Sequence, residues 1–239
     1  MRSHTRLLDM AEMLIPPMPW DRPRWRNRGG PPVVLLHGLW RGMRAMEPLA
    51  KALDDAGFPT LNVPYPSARL PIPALAEHVR REVEKIAGDQ PVRFVTHSLG
   101  GIVLRAIMAG SPPWKTGRVV MLAPPNGGSE IVDWSAGHPV LNTLLGPAGR
   151  SLGTEGFPST LPQLPEDSEV AVIMGSRSTI PFFRRLLEVP NDGIVSASRG
   201  RIPGLRGFAV IDADHTFIQN HPDVIRLTVD FLKTGWMGV

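Results

Sequence analysis

Thr96-His97-Ser98-Leu99-Gly100-Gly101 stands where a strand-like apolar run, Val92 to Val95, gives way abruptly to a helical one, Ser98 to Ala109. A serine on such a turn is held in a strained backbone conformation with its hydroxyl clear of the sheet. Gly100 lets strand and helix approach closely, and the helix N-terminus adds partial positive charge where an oxyanion would form. A serine hydroxyl is a weak nucleophile at neutral pH. It needs a base to take its proton and a carboxylate to orient that base.

The chain holds seven histidines that could supply the base. His97 adjoins the serine, but consecutive residues on such a turn diverge. His37 ends another apolar strand and reads as the holder of the loop that follows. His221, ahead of Pro222 and Asp223, reads as a helix start. His4, His78 and His138 share no metal-ligand spacing, and a chain with no cysteine has no thiolate site. No phosphate-cradling or dinucleotide glycine pattern follows a strand, and Gly127-Gly128 reads as loop. Neither a metal nor an organic cofactor is expected.

The Ser98 turn resembles the nucleophile elbow of the α/β-hydrolase superfamily, whose pattern is G-x-S-x-G, with Thr96 standing in place of the first glycine. In that superfamily the order along the chain is serine, then aspartate or glutamate, then histidine. Two residues match by position: Asp192 in Pro190-Asn191-Asp192-Gly193-Ile194-Val195-Ser196, and His215 directly after the last strand. The Asp192 run is similar to the acid-bearing turn of bacterial lipases, although Asn-Asp-Gly is also good turn chemistry in itself. Glu188 is the nearest competing carboxylate, and Asp212 and Asp214 lie very close in sequence to the histidine. Leu35-Leu36-His37-Gly38-Leu39-Trp40 supplies the remaining part. The resemblance implies an oxyanion hole formed by the backbone N–H groups of Leu39 and Leu99, with Trp40 replacing Leu39 if the loop is shifted by one. It extends over roughly residues 31–233.

The elements that must position these groups are legible in the periodicity. Near-continuous apolar strands at 32–36, 60–63, 92–95, 119–122, 170–174 and 208–211 alternate with helices at 43–57, 73–87, 98–109 and 221–233. Strands buried on both faces, separated by helices, make a mostly parallel sheet covered on each side, an α/β fold. Residues 126–165 break the rhythm with glycines and prolines and read as an inserted lid or cap within a domain spanning 31–239. Ahead of it, residues 1–30 read as a short packing helix, with Leu7, Ala11, Leu14 and Ile15 on one face, and an extended arm rich in Pro, Arg and Trp.

Composition narrows the classes further. At 239 residues, 42% hydrophobic and 20% charged, the chain can bury a full core, and a disordered solvating chain is excluded. A net charge of +4 with only one tyrosine and no cysteine leaves few groups to lose protons at alkaline pH, so the pI of about 10.1 does not signal nucleic-acid binding. No apolar stretch approaches a membrane span, and no secretory leader is evident, so a cytoplasmic location is expected.

What the resemblance implies is a serine hydrolase of carboxylic esters, esterase- or lipase-like. Its substrate would be a small-molecule or lipid ester, with Trp40, Leu141, Leu144 and Leu145 shaping the acyl pocket. An acyltransferase or thioesterase using the same three residues, and a catalytically silent binding domain, are the alternatives. Peripheral membrane contact and oligomeric state stay open.

Overall fold

The computed structural model describes residues 11–162, 168–179 and 181–238. Seven strands form one sheet in the order β1-β3-β2-β4-β5-β6-β7: β1 (Arg24–Arg26), β2 (Val33–Leu36), β3 (Thr60–Val63), β4 (Val92–His97), β5 (Thr116–Leu122), β6 (Val170–Gly175) and β7 (Gly207–Ile211). Strands β2 to β7 pair in parallel, and β1 runs antiparallel along β3 at the edge.

The apolar runs are continuous because each strand is buried twice. Val34, Leu36, Phe94, Met121 and Val172 point into a core closed by α2 (Ile72–Glu84) and α3 (Leu99–Ala109). Their neighbours Val33, Leu35, Val95, Val120 and Ile173 point the other way, against α1 (Glu47–Asp55) and α9 (Pro222–Thr234). The two-residue period of a strand distributes alternate side chains to opposite cores. The helices answer with one apolar face each, as with Leu49, Ala50 and Leu53 on α1.

Between β5 and β6 the chain makes four short helices: α4 (Glu130–Ser135), α5 (Pro139–Leu144), α6 (Gly146–Arg150) and α7 (Phe157–Thr160). A further turn of helix, α8 (Pro181–Arg184), leads from β6 toward Asp192. Among the described residues no helix is long and apolar enough to cross a membrane.

Some elements differ from the periodicity. The first helix begins as a 3₁₀ turn, Met43–Met46, before α1 proper. Strand β1 was not foreseen, because three residues with two arginines carry no strand pattern. Its partners explain it. Arg24 and Arg26 both reach Glu47 of α1, the first at 2.8 Å, and Arg28 meets Asp54 at 2.7 Å. Of the N-terminal apolar face, Leu7 lies outside the described residues, Ala11 and Leu14 are exposed, and Met13 is the buried residue of the turn. Leu14 lines a cavity beside Ser98 instead of a core.

Candidate active site

Parallel strands gather their following loops at one edge, and ligand crevices form where strand order reverses direction. That switch lies between β2, which connects onward to β3 on one side, and β4, which begins the run to the other. Gly38 follows β2 and Ser98 follows β4, so these loops face each other there.

Ser98 has φ 52° and ψ −123°, a strained conformation for a residue with a side chain. Its N–H donates to the Leu122 carbonyl at 2.9 Å, which ties the turn to β5. Gly100 is required by contact: a Cβ there would meet the Leu36 carbonyl oxygen at 2.6 Å and that of His37 at 2.9 Å. Thr96 is accommodated by Gly101, where a Cβ would stand 3.3 Å from the threonine hydroxyl and 3.0 Å from Pro124. The glycine missing before the serine is thus compensated by a second glycine after it.

His215 lies between the other two residues, with one nitrogen directed at each. Its Nε2 is 3.0 Å from the Ser98 hydroxyl, and its Nδ1 is 2.7 Å from Asp192 Oδ2. The Asp192 side chain is fully buried and that of His215 is 11% exposed. The second carboxylate oxygen, Oδ1, accepts from the N–H groups of Ile194 at 3.0 Å and Val195 at 2.8 Å. Gly175, at the end of β6, leaves room for this approach, since a Cβ would come within 2.8 Å of the Asp192 Cβ and 2.3 Å of the Ala213 carbonyl.

The competing carboxylates have other partners. Asp214 Oδ1 accepts from the N–H groups of Thr216 and Phe217, and Oδ2 faces Arg177 at 3.3 Å. Glu188 accepts from the Ser198 hydroxyl at 2.6 Å, and Asp212 is exposed.

Two further histidines are held neutral beneath the site. His37 stacks on Tyr65 with ring centroids 3.9 Å apart, and the Tyr65 hydroxyl donates to the His37 carbonyl. The Tyr65 N–H donates to His37 Nε2, so Nδ1 carries the proton and donates to the Gly38 carbonyl at 3.0 Å. Burial depresses its pKa to about 4, which suits this neutral tautomer. His97 is also pushed well down, by burial first and then by the nearby His215. Its Nε2 meets the His215 carbonyl at 2.8 Å, so the neighbour of the serine supports the backbone of the opposing histidine. His221 starts α9 and accepts from the Asp223 N–H.

The Gly38 carbonyl also accepts from the Arg41 N–H at 3.3 Å, closing a turn with Trp40 at its third position and φ 57°. Among the described residues neither the Leu39 nor the Leu99 N–H has an acceptor. Leu99 is the first residue of α3, where helix geometry leaves the N–H unpaired.

Ser98 and His215 open into a cavity of about 610 Å³. Leu39, Trp40, Leu141, Leu144 and Leu145 all line it, together with Trp134 and Phe183. Among the described residues no group of three or more His, Asp or Glu could hold a metal ion.

No protein-family model and no curated protein matches the chain. Solved structures do. The mature form of Bacillus licheniformis lipase BlEst2 is similar at a TM-score of 0.70 and 19% identity, over 90% of this chain and 96% of that one. Carboxylesterase CesB from Bacillus subtilis gives 0.57 at 16%, over 99% and 100%. The NocB thioesterase domain, in covalent complex with a fluorophosphonate nocardicin G analog, gives 0.56 at 13%, over 90% and 99%.

The chain has the α/β-hydrolase fold. Esterases, lipases and a thioesterase domain share this α/β-hydrolase architecture. Within it, several residues around the site carried no sequence signal. Tyr65 reads as an isolated aromatic between two prolines, yet it clamps the loop after β2. Leu14 and Pro16 of the N-terminal arm line the cavity. Phe182-Phe183, directly after Pro181, was a hint available for α8.

Proposed function

We propose that this protein is a serine hydrolase of carboxylic esters, with Ser98 as nucleophile, His215 as general base and acid, and Asp192 as the orienting carboxylate. The observation that carries the reading is the pair of contacts made by one imidazole, 3.0 Å to the serine hydroxyl and 2.7 Å to a buried carboxylate. With Nδ1–H donating to Asp192, Nε2 is left with its lone pair toward Ser98, the tautomer a base requires.

The reaction then follows. Ser98 Oγ attacks the acyl carbonyl while its proton passes to Nε2, and the imidazolium is stabilised by the Asp192 carboxylate. The carbonyl electron pair becomes an oxyanion held by the N–H groups of Leu39 and Leu99. Collapse breaks the ester C–O bond, and Nε2 returns the proton to the departing alcohol, leaving an acyl-serine. Water repeats the sequence: its proton goes to Nε2, its oxygen joins the carbonyl carbon, and Ser98 leaves with the proton as the free acid forms. Each oxyanion donor is worth about 10²–10³ in rate. The apolar cavity suits an apolar acyl group, with α4 and α5 contributing to its wall.

The test is hydrolysis of p-nitrophenyl butanoate by wild type and Ser98→Ala, beside fluorophosphonate labelling. The variant should lose at least about 10⁴-fold in kcat and escape labelling, with its melting temperature nearly unchanged. Turnover retained in the variant refutes the reading.

Likeness to a thioesterase domain supports a second reading, in which the same acyl-serine forms from a thioester or passes to another acceptor. Comparing ester and thioester kcat/KM, and product ratios with added alcohols, separates the two.

A further inference from the structure

Two cavities share part of their walls. Beside the cavity that contains Ser98, a second of about 650 Å³ lies between the N-terminal arm and the loop after β3. Trp40 and Pro16 line both. The wall of the second cavity mixes the charged or titratable residues Asp21, Arg22, Arg69, His78 and Glu82 with a larger apolar share that suits an apolar chain. Six prolines contribute to it, Pro16, Pro17, Pro19, Pro23, Pro64 and Pro66, and a proline offers no N–H to a polar ligand or to water. Tyr65 also lines it, but its hydroxyl is already given to the His37 carbonyl.

Trp40 stands between the cavities on a left-handed backbone and with a hydrogen bond from its ring. It occupies a left-handed position with φ 57°, costly for a bulky side chain. Its indole Nε1–H donates to the Leu144 carbonyl at 2.8 Å, at the end of α5, a helix with no buried residue. Trp40 is 49% exposed. Its position is also next to the Leu39 amide, so whatever lies against it lies close to the reacting carbonyl.

We propose that Trp40 is the partition that sets how long an apolar arm of the ester can be, and that the proline-walled cavity is the compartment it closes off. The inference rests on the ester-hydrolase reading and deepens it. With the indole bonded to Leu144, an arm extending from the Ser98 carbonyl ends at the ring. Without the ring, it continues into the second cavity and leaves water for apolar walls.

The experiment compares wild type, Trp40→Ala, Trp40→Phe, Ala68→Phe and the Trp40→Ala/Ala68→Phe double variant. Ala68 lines only the second of these cavities. Substrates are p-nitrophenyl esters from butanoyl to hexadecanoyl, and alkyl butanoates graded in the alcohol. The readout is the ratio of kcat/KM for long to short members of a series, in which any uniform cost of altering the turn cancels. Each methylene newly removed from water favours binding about fourfold, so Trp40→Ala should raise the ratio at least about tenfold in one series. Trp40→Phe should raise it less, and filling the second cavity in the double variant should return it toward wild type. An unchanged ratio in both series, or a raised one that Ala68→Phe leaves untouched, overturns the partition. Wild type inactive on every ester and labelled by no fluorophosphonate overturns the hydrolase reading itself, and the partition with it.

Discussion

Replacing Asp192 with asparagine tests the site at its most specific point, because the structure dictates which way the new amide must face. Asp192 Oδ1 accepts from two backbone N–H groups, at 3.0 and 2.8 Å, and Oδ2 accepts from one imidazole nitrogen at 2.7 Å. An asparagine that kept its oxygen on the two N–H groups would present its NH₂ to His215. The flipped amide would oppose two buried donors with its own. Leaving a buried donor unpaired costs about 1–3 kcal/mol, and two such losses outweigh one. The NH₂ therefore faces Nδ1, which must become an acceptor, and the ring proton moves to Nε2. There it points at the Ser98 hydroxyl and cannot receive that proton. Loss of the correct tautomer with geometry intact costs about 10⁴ in kcat. The assay is p-nitrophenyl butanoate turnover at neutral pH, with melting temperature as the check on folding. A variant within tenfold of wild type would refute both the assignment of Asp192 and the tautomer argument.

Other outcomes follow from the same contacts. Gly100→Ala should lower stability by about 1–3 kcal/mol, because its Cβ would lie 2.6 Å from a backbone oxygen that cannot swing aside; turnover should fall about 10²-fold as the serine shifts. Gly88→Ala, with nothing within 4 Å of the new carbon, is the neutral control in both thermal unfolding and activity. Acid should destabilise the fold through His37, whose pKa is depressed to about 4 from 6.5. The unfolded chain binds that proton more readily, so stability present above pH 6.5 is lost as pH falls toward 4, by roughly 3 kcal/mol at most. His97 acts in the same direction. His37→Gln should flatten this part of the pH dependence of denaturant midpoints. Arg105→Leu removes a buried guanidinium that donates to the carbonyls of Asn126, Leu161 and Pro162. It should leave kcat for a short ester within a few-fold but lower the urea midpoint by the equivalent of about 2–4 kcal/mol.

The parts of the molecule that repeat locally were readable before folding. Continuous apolar strands, amphipathic helices and the abrupt serine turn each follow from a period of two or 3.6 residues and from steric needs within a few positions. That is why β2 to β7 and the four main helices lie close to their expected bounds. Strand β1 was hidden, because its arginines pair with a carboxylate on α1 and its backbone with β3, partners that its own pattern of residues does not show. The N-terminal turn misled for a related reason: Leu14 faces a cavity built by distant segments, and a helical wheel cannot show that.

For the candidate site, residue types and chain order were enough to nominate Ser98, Asp192 and His215. Only the tertiary structure decided that one ring nitrogen meets each partner, and that Asp214 and Glu188 are engaged elsewhere. It also decided that Gly101 makes room for Thr96, that Tyr65 locks the loop after β2, and that Trp40 stands between two cavities. The physical reason is one of range. Backbone preference and burial pattern are properties of neighbours along the chain, whereas hydrogen-bond direction, close approach and enclosed volume exist only once parts of the chain far apart in sequence are brought into contact.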